Sequence, residues 1–409
     1  MRCRHCGQQL HDQFIDLGTS PPSNSYVSED RLNQPETYFP LQVMICTQCW
    51  LLQTRDFAKA DELFDAEYAY FSSMSQSWLA HAERYVEQMV ERLHLDENSL
   101  VVELASNDGY LLQYVQQRGI QCYGVEPTAS TAQAAREKGI DVVEAFFGVD
   151  LATKLAQSRG VADLIAGNNV LAHVPDINDF VAGCAGLLAP SGTLTFEFPH
   201  LMRLIEFSQF DTIYHEHYSY LSLISVSRIL DRAGLVLFDV EQLPTHGGSL
   251  RVFAQHKDDG IHPVSDRVHD LLQEEHSRKM DDLAGYQGFQ ARAEKIKDEF
   301  VAFLIEAKKA GKTVVGYGAA AKGNTLINFA GIRPDLLPVV FDRSPGKVGK
   351  FLPGSRIPIR PPEELPDFRP DYIAVLPWNI FDEVVEQLDF ARTWGARFVR
   401  FVPSLSLTE

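Results

Sequence analysis

From residue 99 to about 255 the chain alternates short apolar runs with helix-patterned segments. This alternation narrows the possible folds more than any other feature. "SLVVEL" precedes "YLLQYVQQRG", "QCYGVEP" precedes "ASTAQAAREKG", and "ADLIAGNNVL" precedes "INDFVAGCAGLLAP" before "GTLTFEFP" closes the run. Strands separated by such helices form a parallel sheet with helices on both faces. A second unit of the same kind starts at "KTVVGYGAAAKGNTLINFAG", continues through "LLPVVFDRSPGKVGKF" and "DYIAVLPWN", and ends at "RFVRFVPS". Ahead of both, residues 1–72 read as turns and short strands, and 74–94 as a helix with apolar residues at helical spacing. The expected class is α/β, with a small N-terminal module at 1–72 and a central α/β domain at 73–255. A helical connection without its own core follows at 256–310, then a C-terminal α/β domain at 311–409.

A chain of 409 residues is too long for one core, which agrees with that division. No apolar run reaches the ~20 residues of a membrane helix, and "MRCRHCGQQL" does not read as a signal peptide. A reducing cytoplasm is the expected compartment. With 37 basic and 55 acidic residues the formal charge is -18, which argues against a nucleic-acid surface. An anionic ligand would need a locally built site.

Four of the six cysteines, Cys3, Cys6, Cys46 and Cys49, form two Cys-x-x-Cys knuckles. Two thiolate pairs from tight turns give tetrahedral sulfur coordination, the pattern of a zinc site. Four sulfurs leave no open position, so the zinc is expected to be structural. His5, between two ligands, is expected to be a solvated loop residue, and Cys122 and Cys184 small core residues.

"VVELASNDGYLL" is a strand ending in an acidic residue, a short polar loop and a helix start, an arrangement that presents backbone N–H groups to an anionic ligand group. The next strand ends at "GVEP", where Glu126 can take two ribose hydroxyls. Ala105, Ser106 and Asn107 stand where a dinucleotide site would want glycines. S-adenosylmethionine has no phosphate and suits such a loop better. "EAFFG" offers Phe146 near the adenine, and "NNVLAHV" follows the fourth strand. In the C-terminal unit "VVGYGAAAKGN" half-matches a dinucleotide fingerprint, with its third glycine displaced to Gly323. It is read as an NAD site, a nucleotide-sugar site or a tight strand-to-helix turn.

Taken in order, "CRHC…CTQC", "YAYFSS", "VVELASNDGYLL", "GVEP", "NNVLAHV", "FEFPHL", "YHEHYSYLS", "HGGSLRV" and "GYGAAAKGNTLINF" cover nearly the whole chain. Together they resemble the deoxysugar C-methyltransferases, which methylate C3 of a nucleotide-linked keto-sugar. The departure is Ala105, where methyltransferases usually carry glycine. The resemblance implies a zinc-binding module, a Rossmann-like class I methyltransferase domain and a Rossmann-like C-terminal domain that helps hold the nucleotide-sugar. It implies catalytic roles for Tyr214, Glu216, His217 and His173. The candidate cofactor residues are Glu103, Ala105, Asn107, Asp108, Glu126, Pro127, Phe146, Asn168 and Tyr68. Those for the nucleotide-diphosphate keto-sugar are Tyr70, His246, Lys322, Asn324 and Lys347.

Carbon methylation needs a base, donors for an enolate oxygen and a grip on the sugar, but no catalytic metal. In "YHEHY", His217 is the favoured base, Tyr214 or His173 the enolate stabiliser, and Glu216 an orienter or sugar-hydroxyl ligand. An extended string puts His215 and His217 on one face and Tyr214, Glu216 and Tyr218 on the other; a helical one spreads them over about half a turn. His215 is expected to pack or to be solvated, and a metal set of His-x-His with Glu is disfavoured by the βα context. Two rival functions are an NAD-dependent nucleotide-sugar oxidoreductase and a zinc-containing binding protein with an inactive methyltransferase domain. Either a monomer or a homodimer fits.

Overall fold

The computed structural model describes residues 1–55, 57 and 71–408. In the N-terminal module, β1 (Asp12–Ser20), β2 (Phe39–Ile45) and β3 (Leu52–Thr54) pair antiparallel. Helix α1 (Gln76–Leu93) follows, its first turn capped by Ser75, which accepts the Trp78 N–H. Its buried residues Trp78, Ala82, Tyr85, Val86 and Met89 keep the helical spacing read in the sequence.

The central alternation is β4 (Leu100–Leu104), α2 (Leu112–Gln116), β5 (Gln121–Val125), α3 (Ala129–Glu137), β6 (Val142–Val143), α4 (Val149–Arg159), β7 (Ala162–Asn168), α5 (Ile177–Leu187) and β8 (Leu188–Pro199). Then come α6 (Leu201–Glu206), β9 (Ser219–Tyr220), α7 (Leu223–Arg232), β10 (Leu235–Leu243) and β11 (Ser249–His256). The seven-stranded sheet has the order β10-β11-β8-β7-β4-β5-β6. Five strands run parallel, and β11 lies antiparallel between β8 and β10. This is the class I methyltransferase sheet expected from the sequence. Its order reverses between β4 and β7, so a crevice opens at the carboxyl ends of those two strands.

Two helices, α8 (Asp266–Ser277) and α9 (Phe289–Lys309), form the connection. They have no core of their own: Phe289 stacks on Phe14 of β1 at 4.4 Å, and the buried Glu275 accepts the Leu223 and Ile224 N–H groups at the start of α7. The C-terminal unit runs β12 (Val314–Tyr317), α10 (Ala321–Phe329), β13 (Val340–Phe341), β14 (Ile359–Arg360), α11 (Leu365–Phe368), β15 (Tyr372–Val375), α12 (Phe381–Gln387), β16 (Arg397–Arg400) and β17 (Ser406–Leu407). Its six-stranded sheet has the order β14-β13-β12-β15-β16-β17 and reverses between β12 and β15. Among the described residues no helix is long and apolar enough to cross a membrane.

The modules are not separate bodies. Strand β9, from the middle of the chain, is the fourth strand of the N-terminal sheet, ordered β1-β2-β3-β9. The loop after β1 reaches the other way: Asn324 donates to the Ser23 carbonyl at 2.7 Å, and Val27 pairs with Phe351. One buried apolar cluster runs from Cys3 and Ile15 through Phe196 to Phe401.

Candidate active site

The Sγ atoms of Cys3, Cys6, Cys46 and Cys49 all lie within 4.8 Å of one another, with Cys3–Cys49 at 3.5 Å and Cys6–Cys46 at 3.4 Å. Zinc–sulfur bonds of ~2.3 Å in a tetrahedron place sulfurs ~3.8 Å apart, so the cluster fits the ion. No disulfide joins the four cysteines. The thiols are hydrogen-bonded to one another, so that Cys46 and then Cys49 hold the Cys3 thiol below the usual range while Cys3 holds those of Cys46 and Cys49 above it. His5 is not solvated, contrary to the sequence expectation. It is buried, 2.8 Å from Asn178 Oδ1, because the first knuckle packs on the start of α5.

The loop after β4 carries the cofactor candidates. Ala105 (φ 54°), Asn107 (φ 49°) and Gly109 (φ 75°) all take left-handed conformations. Glycine costs least there, which is the physical reason a glycine suits position 105. Glu126 accepts the Asn107 and Thr128 N–H groups, one on each oxygen, both at 2.9 Å. Glu103 is fully buried beside Tyr110, and among the described residues neither of its oxygens makes a hydrogen bond of good geometry. Burial, with Asp108 and Glu126 nearby, pushes its carboxyl well above the usual range. A buried carboxyl group of this kind fits a ligand that brings its own cation, as an amino-acid ammonium does.

Asn168 donates to the Tyr110 hydroxyl at 3.4 Å, and among the described residues its own Oδ1 has no hydrogen-bond partner. Phe146 is 58% exposed, Phe147 packs on Phe180, and Pro127 is half-buried. Asp108 is held by Ser73 and by Lys138 at 3.3 Å. Tyr68 and Tyr70 lie outside the described residues.

Tyr214 to His217 form neither a strand nor a helix. They make a tight turn closed by the His217 N–H donating to the Tyr214 carbonyl at 3.0 Å. The turn brings the Tyr214 and His217 rings to 3.9 Å, and His173, in a short 3-10 turn after β7, to 4.6 Å from His217. His217 Nδ1 lies 2.8 Å from the Thr212 carbonyl, which can only accept. The neutral ring therefore carries its hydrogen on Nδ1, and Nε2 is the basic nitrogen. Burial, reinforced by His173, holds His217 well below the usual histidine range; burial lowers His173 to about 4. Glu216 is buried; it accepts from Asn24 at 3.3 Å and is pushed up to about 7 by burial. His215 points away from this group, with Nε2 3.3 Å from the Phe39 carbonyl.

The C-terminal sheet meets this group with its own switch point. Trp378, after β15, donates to Asp211 at 2.7 Å, and Lys322, in the first turn of α10, donates to Asn379 at 2.6 Å while its Nζ sits 4.6 Å over the Trp378 ring. Burial lowers Lys322 to about 8 and raises Asp211 to about 6. His246 (φ 54°) accepts from Asn169 at 3.1 Å and is lowered by burial to about 4. A Cβ on Gly247 would meet Trp378 at 2.4 Å and one on Gly248 would meet Arg203 at 2.7 Å, so the two glycines of "THGG" let this loop lie close to the indole on one side and the Arg203 stem on the other. Asn324 and Lys347 are both engaged within the protein. Asn324 holds the Ser23 carbonyl, and Lys347 donates to the Ala319 carbonyl at 2.9 Å, 3.9 Å from Asp342. The glycine loop is a tight turn: Gly318 (φ 87°) lies against Pro377, and Gly323 packs on Leu376.

Sequence reasoning missed Glu197, Asp211, Trp378 and His81. Glu197 is fully buried at the end of β8 and binds Arg251 and His81, each at 2.8 Å, and Thr245 at 2.8 Å. Its signal was present: it is the sole carboxylate within the apolar run "GTLTFEFP".

Three stretches of the chain match known protein families. Residues 3–64 match the model of a zinc binding domain, 78–240 a methyltransferase domain and 244–403 a C-methyltransferase C-terminal domain. The C-methyltransferase NovU of Streptomyces niveus is 35% identical over 404 residues, covering 98% of this chain and 95% of that protein. Among solved structures, the magnesium protoporphyrin IX methyltransferase ChlM of Synechocystis PCC 6803 is 16% identical, with 44% of this chain and 83% of that one covered at a TM-score of 0.35. The CcbJ methyltransferase of Streptomyces caelestis is 15% identical, with 42% and 89% covered at 0.34.

Proposed function

Because the chain belongs to the C-methyltransferase family, zinc-binding domain included, we propose that its substrate is a nucleotide-linked keto-deoxysugar, methylated at C3 in deoxysugar biosynthesis. The observation that carries this reading is His217: a buried, neutral imidazole with its hydrogen fixed on Nδ1, beside Tyr214, His173 and Glu216 where two sheet ends converge.

A ketone on the neighbouring carbon acidifies the C3 proton, and His217 Nε2 takes it. The Nδ1–H bond to the Thr212 carbonyl holds the ring in the productive tautomer throughout. Tyr214 or His173 donates to the enolate oxygen as charge develops there. Glu216 orients the ring or accepts a sugar hydroxyl, and Asn24 supports its ionised form. Lys322, His246, Asn324, Lys347 and Tyr70 hold the nucleotide-sugar against the C-terminal sheet. Glu103, Asn107, Glu126 and Asn168, flanked by Ala105, Asp108, Pro127, Phe146 and Tyr68, hold S-adenosylmethionine. Bound there, that cofactor supplies an electrophilic methyl group.

The test is His217→Asn assayed with nucleoside-diphosphate 4-keto-deoxyhexoses. Methyl transfer should fall by ~10²–10⁴, and undiminished transfer removes His217 from the base role. Calorimetry with S-adenosylhomocysteine and NADH checks the cofactor; tight NADH binding with none to the adenosyl ligand overturns it.

A further inference from the structure

We propose that Thr54 is a positioning residue for His217, through which the cysteine module sets the geometry of the catalytic turn. The inference rests on His217 acting as the base. Strand β3 leaves the second knuckle directly, and the Leu51 carbonyl accepts the Cys46 N–H at 3.1 Å. Gln53, wholly buried, donates to Cys3 Sγ at 3.3 Å and accepts the Arg4 N–H at 2.9 Å. Its neighbour Thr54, 3% exposed, then grips the turn at two successive peptides: Oγ1 donates to the His217 carbonyl at 3.1 Å, and its N–H to the Tyr218 carbonyl at 3.1 Å.

The first knuckle holds the other histidine's loop in the same way. Arg4 donates to the Thr54 carbonyl at 3.2 Å and to the Pro175 carbonyl, two residues past His173, at 2.9 Å. The His217 ring is thus fixed by Thr212 and its backbone by Thr54. No other side chain of the N-terminal sheet touches the base residue itself among the hydrogen bonds of the described residues. A base must meet its proton within hydrogen-bond reach, and a shift of about 1 Å in a reacting group costs on the order of 100-fold in rate.

The experiment compares Thr54→Val, which keeps the shape without the hydroxyl, with Thr54→Ser, which keeps the hydroxyl. Both variants are first checked for zinc content and thermal midpoint. We expect Thr54→Val to lose about 10- to 100-fold in kcat for a nucleoside-diphosphate 4-keto-deoxyhexose. Its KM and its affinity for S-adenosylhomocysteine should be unchanged, and Thr54→Ser should recover most of the loss. A second readout needs no turnover: in nitrogen-15 histidine spectra, the His217 signal is identified by its absence in His217→Asn. It should move in Thr54→Val and return in Thr54→Ser. Wild-type kcat with an unmoved signal in Thr54→Val overturns the proposal, as does a loss that Thr54→Ser shares. If Thr54→Val does not fold, Thr54→Ala against Thr54→Ser gives the same contrast. Undiminished transfer by His217→Asn removes the premise, whereas an inactive His217→Asn beside a fully active Thr54→Val removes the positioning role alone.

Discussion

Tyr214 and His217 meet because the chain turns between them, and a turn of four residues brings its first and last together. An extended reading of "YHEHY" puts the two on opposite faces, whereas a helical one would also make them neighbours at i and i+3. The residue types were legible and their grouping was not, since no glycine, proline or asparagine marks the turn. It is held from outside, by Thr54 and by Tyr218, whose N–H reaches the Ala172 carbonyl. Glu216 shows what this position demands of a single side chain. Its carboxyl is raised from 4.5 to about 7 by burial. Between those values the folded protein keeps a proton that the unfolded chain has released, so its contribution to stability falls as pH rises from 4.5 to 7 and stays low above. Glu216→Gln, which never ionises, should therefore gain ~3 kcal/mol relative to wild type between pH 4 and pH 8, measured by urea unfolding at both, while methyl transfer drops. No gain at pH 8 would mean the carboxylate is paid for by partners other than Asn24.

Alternating apolar runs and helical segments were readable because each depends on residues a few positions apart, whereas strand order depends on pairings that local pattern does not record. Strand β9 is the clearest case: its two residues carry no strand signal, yet they complete the cysteine module's sheet. The predicted consequence is that removing the metal is felt beyond the knuckles. Cys46→Ser should abolish the binding of about one zinc per chain. It should also speed amide hydrogen exchange at 218–220, beyond the change in the knuckles themselves, since Tyr218 and β9 are held by β3. Unchanged exchange there would uncouple the two. Glu197 belongs to this scale as well. Its bonds to Thr245 and Arg251 tie β8 to the turn between β10 and β11, from which His246 projects.

In the whole molecule the switch point of the C-terminal sheet meets the segment after α6, where Trp378 donates to Asp211. The sequence held the glycine loop after β12, but nothing in it said that the segment holding Asp211 would pack beside it. Trp378→Phe removes the indole N–H and leaves Asp211 without that donor. It should raise KM for the keto-sugar by about tenfold, equivalent to ~1.4 kcal/mol, and leave S-adenosylhomocysteine affinity unchanged by calorimetry; equal losses for both ligands would contradict this division. The loop of Ser23 and Asn24 docks on α10 and on Glu216. This has a bearing on synthesis. A ribosome delivers the knuckles first, yet Thr54 has nothing to grip until residue 218 has emerged, and Ser23 has no seat until Asn324 follows. A nascent chain stopped before the second sheet should already take up metal, but the surroundings of His217 come into register only as the last hundred residues arrive.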